Sequence, residues 1–352
     1  MANSRIAWID ATKGLLILLM VFGHISNIAG NHGVQNVYLI KCLFFSSLYA
    51  CFFMQAFLIL TGYTSNFDKP AKEFFFSLVK TVLVPWFSFS IISQIFRMLN
   101  GEGEAFLTIN NQKFFFLIED YWFLHVLFFG KIIYFVIYKI VKNDSVRGLL
   151  LLVMMIGGFS IFALYSDLEQ TYHYLNYLHY KDTLCMTFFL WVGNFCRRKN
   201  VFDLFKGKYL LIIIALYLFG HALRVLFKMK GFDELMIAPV IISHGGNAVS
   251  PLQIPAYLYY VIFGSFVCFG LMQYLKKCSV MEYLGKNSLV VYCAHFVFLN
   301  LFVELVNEII PPDNIFSAVL YTVLVLMLCL LSCFAVIYLT RFKPFRYLIG
   351  KF

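Results

Sequence analysis

The chain has 352 residues, 61% of them hydrophobic and 13% charged, with a mean hydropathy of +0.80. Soluble globular chains carry about 45–50% apolar and about 25% charged residues, so this composition excludes a soluble domain, a disordered chain and a nucleic-acid-binding protein. The formal charge of +10 has a topological cause, because polytopic membrane proteins collect Lys and Arg on their cytoplasmic loops.

A bilayer core of about 30 Å needs about 20 apolar residues per helix. On that scale the runs predict ten membrane helices at 11–30, 41–63, 74–98, 119–141, 147–165, 183–197, 208–227, 257–275, 287–307 and 315–340. The sixth is the shortest. The expected fold is all-α, a single polytopic bundle over 1–352 with no appended soluble domain. Arg5, Asp10 and Lys13 precede the first apolar run, Leu15–Gly23, and no convincing cleavage site follows it. A retained first helix is expected rather than a signal peptide.

The loops alternate in charge. One side would carry Arg5, Lys69, Lys72, Lys139, Lys142, Arg147, Arg197, Arg198, Lys199, Lys206, Lys208, Lys276, Lys277, Lys286 and Arg341 onward. The other would carry Lys41, Lys113, Lys181, Lys228 and Lys230. The positive-inside rule then places both termini in the cytoplasm of a multi-pass cell-membrane protein. Two outer segments, 166–182 and 228–256, are long for plain connections and are expected to shape an outward cavity. The nine cysteines form no CxxC pair and read as small packing residues. No ligand spacing points to a metal.

Ionisable residues inside spans are costly and functional by default. Asp10, Lys13 and His24 share one stripe of the first helix. Lys13 and His24 are eleven residues apart, which is about 20° around the axis and about 16 Å along it. An Asp–Lys pair anchoring the helix at the interface, with a histidine satisfied inside the bundle, fits the same pattern. A membrane acyltransferase also needs such a stripe. A cation near the inner mouth pairs with the phosphates of an acyl-CoA, and a deeper imidazole takes the proton of an attacking hydroxyl. Asp10 would orient Lys13 or hold the donor-facing end.

The segment Ile9-Asp10-Ala11-Thr12-Lys13-Gly14, continued by Val21-Phe22-Gly23-His24, resembles the opening of the acyltransferase 3 family. Phe57-Leu58-Ile59-Leu60-Thr61-Gly62-Tyr63 is similar to that family's "FFxxSGY" stretch, with Thr for Ser. Tyr121-Trp122-Phe123-Leu124 resembles its "WFL". Leu284-Gly285-Lys286-Asn287-Ser288-Leu289, with Tyr292 and His295, resembles its "LGxxSxxxYxxH". The nearest flavour is the short subgroup of fucose 4-O-acetylase-like and other surface-glycan O-acetyltransferases. Where many members carry Arg-x-x-Arg before a proline at the start of the third helix, this chain has Lys80 ahead of Pro85, and Lys72 upstream.

The resemblance implies an O-acyltransferase that uses acetyl-CoA or another acyl-CoA as co-substrate. The acceptor would be a hydroxyl of a glycan or of its polyprenyl-linked precursor, and the bilayer the third partner; no nucleic acid is implied. His24 would be the base. Glu119 and Asp120 would orient it or bind acceptor hydroxyls, although acids also favour a helix N-terminus. Lys13, Lys72, Lys80 and Lys286, with Asn287 and Ser288 at a helix N-terminus, would bind the donor; capping alone also explains Asn-Ser. Tyr63, Trp122, His125, His221, Arg224 and His295 would face the acceptor or line its pocket. His179 reads as a loop residue. The rival is a transporter or glycan exporter in which the same polar residues line a path. Dependence on a CoA thioester separates the two.

Overall fold

The computed structural model describes residues 6–34, 38–39, 52–99, 121–171, 179–205, 207–229, 254–275 and 278–351, and no strand occurs among them. The helices are α1 (Ala7–Asn31), α2 (Phe53–Thr64), α3 (Ala71–Leu78), α4 (Val84–Leu99), α5 (Trp122–Ile140), α6 (Asp144–Thr171) and α7 (Tyr180–Arg198). They continue as α8 (Lys208–Met229), α9 (Ile254–Tyr274), α10 (Ser279–Lys286), α11 (Ser288–Ile309), α12 (Ile315–Leu339) and α13 (Lys343–Leu348). A helix lies at each of the ten predicted segments; 41–51 of the second falls outside the described residues. Among the described residues, six stretches are long and apolar enough to cross a membrane: α1, Ala71–Phe96 through α3 and α4, α5, α9, α11 and α12.

Pro85 explains the break between α3 and α4. Its ring cannot follow an unperturbed turn because it clashes with the carbonyl four residues back. The chain widens into a π turn over Val79–Leu83, which carries Lys80, before α4 begins. On α12, Phe316, Leu320, Val323, Met327 and Leu331 make an exposed apolar stripe, while Ala318, Tyr321, Val325, Cys329 and Cys333 are buried at helical spacing. That exposed stripe is a face for lipid, not water. The cysteines behave as expected: those described are free thiols, all buried except the half-buried Cys278. Cys42 and Cys51 lie outside the described residues.

The chain divides into two compact units. The first comprises the start of α1 through Leu16, α2, α5 from His125 onward, and α6–α10. Here α7 packs against α2 and α6, and α8 against α9. The α2–α7 crossing needs glycine on both helices: a Cβ on Gly62 would lie 2.0 Å from the Leu190 carbonyl oxygen, and one on Gly193 1.8 Å from that of Ile59. Small residues let membrane helices approach this closely. The shortest predicted segment, α7, is thus the most enclosed, burying Lys181, Asp182, Thr183, Thr187 and Asn194. Its polar residues face protein, so it lacks the apolar run that a lipid-facing helix shows.

The basic loops of this unit gather at one end. Arg197 donates to the Ser65 carbonyl at 2.9 Å, Lys139 to that of Asp68 at 3.0 Å, and Arg198 to the Asp144 carboxylate. Buried Arg147 donates to the Val141 and Lys142 carbonyls at 2.5 and 3.1 Å, closing the end of α5. The second unit holds α1 from Ile17, α3, α4, Tyr121–Leu124 and α11–α13. There α11 packs on α12, where Tyr321 donates to the Val303 carbonyl at 3.0 Å. Gly350 seats α13's end on the Lys80 carbonyl, 1.7 Å from where a Cβ would stand.

Candidate active site

Predicted site residues fall in both units. In the first unit, the turn Asp10–Gly14 of α1 lies against Met281–Gly285 of α10. A Cβ on Gly14 would lie 1.9 Å from the Met281 carbonyl oxygen, and one on Gly285 1.7 Å from that of Asp10. Two of the motifs therefore meet backbone to backbone. Asp10 is buried, and its Oδ2 has no hydrogen-bond partner among the described residues. Lys13, one turn on, is half-buried. Lys13 and Lys69 both stand within electrostatic reach of Lys131 on α5. Tyr63 belongs to an aromatic cluster at the start of α1, with ring centroids 6.1 Å from Trp8 and 4.8 Å from Phe202. Lys286 ends α10 with its Nζ 3.6 Å from Glu282.

His221 of α8 is half-buried between Tyr217 and Tyr260, at 4.7 and 5.0 Å. His125 lies in a different cluster, 2% exposed, with its ring 5.5 Å from His179. His179 in turn has Nδ1 3.1 Å from Oδ2 of Asp182 on α7, and Lys181 is buried beside them. The sequence reading missed Asp182 and placed His179 in a loop. The available signal was the His-x-x-Asp spacing, which puts the two on one face of a helical turn. Helix α7 starts at Tyr180, earlier than the predicted 183.

The second unit brings His24 and His295 together. Their rings are 5.1 Å apart, edge to face, and Phe296 packs on both at 4.9 and 4.4 Å. His24 Nδ1 lies 2.8 Å from the Met20 carbonyl oxygen, and His295 Nδ1 2.6 Å from that of Tyr292. A carbonyl oxygen only accepts, so each Nδ1 carries the hydrogen. In the neutral ring the lone pair then sits on Nε2. His295 is 0% exposed, and its Nε2 has no hydrogen-bond partner among the described residues. Tyr292 packs against Tyr121 and Phe123 at 6.2 and 5.9 Å, and Tyr121 donates to the Cys293 carbonyl at 2.9 Å. The "WFL" and "YxxH" segments thus meet here, with Trp122 half-buried at the head of α5.

Asn287 takes the N-cap position of α11 without a side-chain capping bond, and Ser288 opens the helix. Lys80 is half-buried in the π turn and Lys72 is exposed on α3. Glu119, Asp120 and the Arg224 side chain lie outside the described residues. Among those described, no group of three or more His, Cys, Asp or Glu could hold a metal ion.

His24 and His295 thus pair two imidazoles of fixed tautomer inside an apolar helical protein. The profile of the acyltransferase domain family, acyltransferase 3, matches residues 6–338. The chain belongs to that family and is a membrane acyltransferase. No curated protein and no solved structure matches it significantly.

Proposed function

We propose that the protein is an O-acyltransferase that carries an acyl group, acetyl foremost, from cytoplasmic acyl-CoA to a hydroxyl of a cell-surface glycan or its lipid-linked precursor. The observation that carries the reading is the anchoring of His24: its Nδ1–H is engaged by the Met20 carbonyl at 2.8 Å, which leaves Nε2 as the basic atom. The acceptor hydroxyl gives its proton to that nitrogen as its oxygen bonds to the thioester carbon. The carbon–sulfur bond breaks, and the coenzyme A thiolate takes the proton from His24. His295 Nε2 accepts from a neighbouring hydroxyl of the acceptor.

Lys13, Lys80 and Lys286 supply charge for the donor phosphates, with Lys72 at the exposed margin and Asn287 and Ser288 at the start of α11. Asp10 positions the Lys13 turn, and Tyr63 lines its aromatic border. In this reading Trp122, His125, His221 and Arg224 contact the acceptor, and Glu119 and Asp120 orient His24 or bind acceptor hydroxyls. The basic loops mark the cytoplasmic end, with both termini there.

The test is transfer of radiolabel from acetyl-CoA to glycan in membranes holding the wild-type protein or His24→Ala at matched expression. Loss of a general base predicts a fall of about 10²–10⁴-fold. Undiminished transfer would remove His24 from the chemistry. If the wild type transfers nothing from acetyl-CoA or succinyl-CoA, the transferase reading gives way to a transporter.

A further inference from the structure

Beyond the last residue of α1 the chain turns sharply. Gly33 takes φ 70°, and Val34 N–H reaches back to the Ala29 carbonyl at 2.8 Å, a Schellman-type exit. This turn presents His32 to α11, where two side chains one turn apart receive it. Its Nδ1 lies 2.7 Å from Oε1 of Glu304, and its Nε2 3.0 Å from Oδ1 of Asn300. A carboxylate accepts, so Nδ1 carries a hydrogen. The Asn300 amide is oriented by its own Nδ2, which donates to the Phe296 carbonyl at 2.8 Å. Its oxygen therefore faces His32, and Nε2 must carry a hydrogen as well. A ring with both nitrogens donating is an imidazolium. The carboxylate and the negative end of the α1 dipole both favour that charge.

We infer that His32 is a charged latch between α1 and α11 and a positioning residue for the His24–His295 pair. The inference rests on the reading of His24 as the base. His32 follows His24 by eight residues, about 12 Å along α1. On the other side, Phe296, Asn300 and Glu304 form one stripe of α11 at four-residue spacing. Phe296 links the two ends of this arrangement: its carbonyl fixes Asn300, and its ring contacts both His24 and His295. Among the described residues, Glu304 and Asn300 of α11 face His32 with side-chain oxygens. Removing the second proton would set an Nε2 lone pair against the Asn300 oxygen. Asn300 cannot turn its amide without giving up the Phe296 carbonyl. The latch therefore opens as His32 loses its charge, and with it the register that holds His24 against His295.

The experiment uses the full chain in lipid nanodiscs with ¹⁵N-labelled histidine, the His32 signals being assigned by their loss in His32→Gln. Near neutral pH, His32 should show two protonated nitrogens in the wild type and lose that pattern in Glu304→Gln. A neutral imidazole in the wild type overturns the latch. For positioning, the His24 ring signals should move in Glu304→Gln and stay in place in Glu308→Gln, an exposed neighbour. Unmoved His24 signals in Glu304→Gln overturn that role.

In transfer assays, Glu304→Gln should lower kcat by about 10- to 100-fold, the cost of a misplaced catalytic group. The donor KM should stay within about twofold, the scatter of neutral surface changes. Wild-type kcat should fall as the His32 signals titrate, and His32→Arg, which keeps the charge, should flatten that alkaline fall. A kcat within about twofold of wild type for Glu304→Gln would also overturn the role. A wild-type protein that transfers no acyl group defeats the transferase reading, while the spectra still decide the latch.

Discussion

The two histidine pairs are anchored in opposite ways. His24 and His295 give their Nδ1 hydrogens to main-chain carbonyls of their own helices, at 2.8 and 2.6 Å. His179 instead has its Nδ1 3.1 Å from the carboxylate of Asp182, with buried Lys181 alongside. A carbonyl fixes the tautomer without adding charge. A carboxylate instead sets a charge of its own beside the ring. Both arrangements occur in one membrane protein, and the proposed chemistry uses only the carbonyl-anchored pair. Counting histidines in spans would not have told them apart.

The sharpest way to break this contrast is Asp182→Asn. Removing the carboxylate partner of a buried hydrogen bond should lower stability by about 1–3 kcal/mol, read by unfolding of the solubilised full chain. A loss below about 1 kcal/mol would mean that the carboxylate is not the anchor the comparison makes it. His295→Phe sharpens the other side. The ring volume is kept and one hydrogen-bonding site for the acceptor is lost, so the acceptor KM should rise about tenfold with the donor KM unmoved. A rise in the donor KM instead would place His295 on the wrong substrate. The smallest effect belongs outside both pairs. Lys72 is exposed, so Lys72→Ala should raise the donor KM by no more than about fivefold, and less as salt is added.

Much of this was legible in the chain because it rests on helical period. The stripe of Asp10, Lys13 and His24 follows from spacing alone, and the ten segments all contain helix. What the sequence concealed were pairings between distant turns. Gly14 and Gly285 were visible as motif letters, but not as the two halves of one crossing. His179 and Asp182 lay in a Tyr- and His-rich stretch that read as an outer loop, because a helix enclosed by protein carries no apolar signature. Tyr292 was seen only as a motif letter, and its place beside Tyr121 and Phe123 needed the packing of α11. The stripe Phe296, Asn300, Glu304 was there to be read, but its meaning depends on the end of α1 arriving opposite it.

The crossing of α1 with α10 also sets a clock. Gly14 and Gly285 are separated by roughly 270 residues, and at synthesis rates of about 5–20 residues per second Gly14 waits on the order of 14–54 s for its partner to be made. Throughout that wait the Asp10–Lys13 turn has no α10 to close upon, so this end of the first helix is finished among the last parts of the molecule, long after the helix itself has formed.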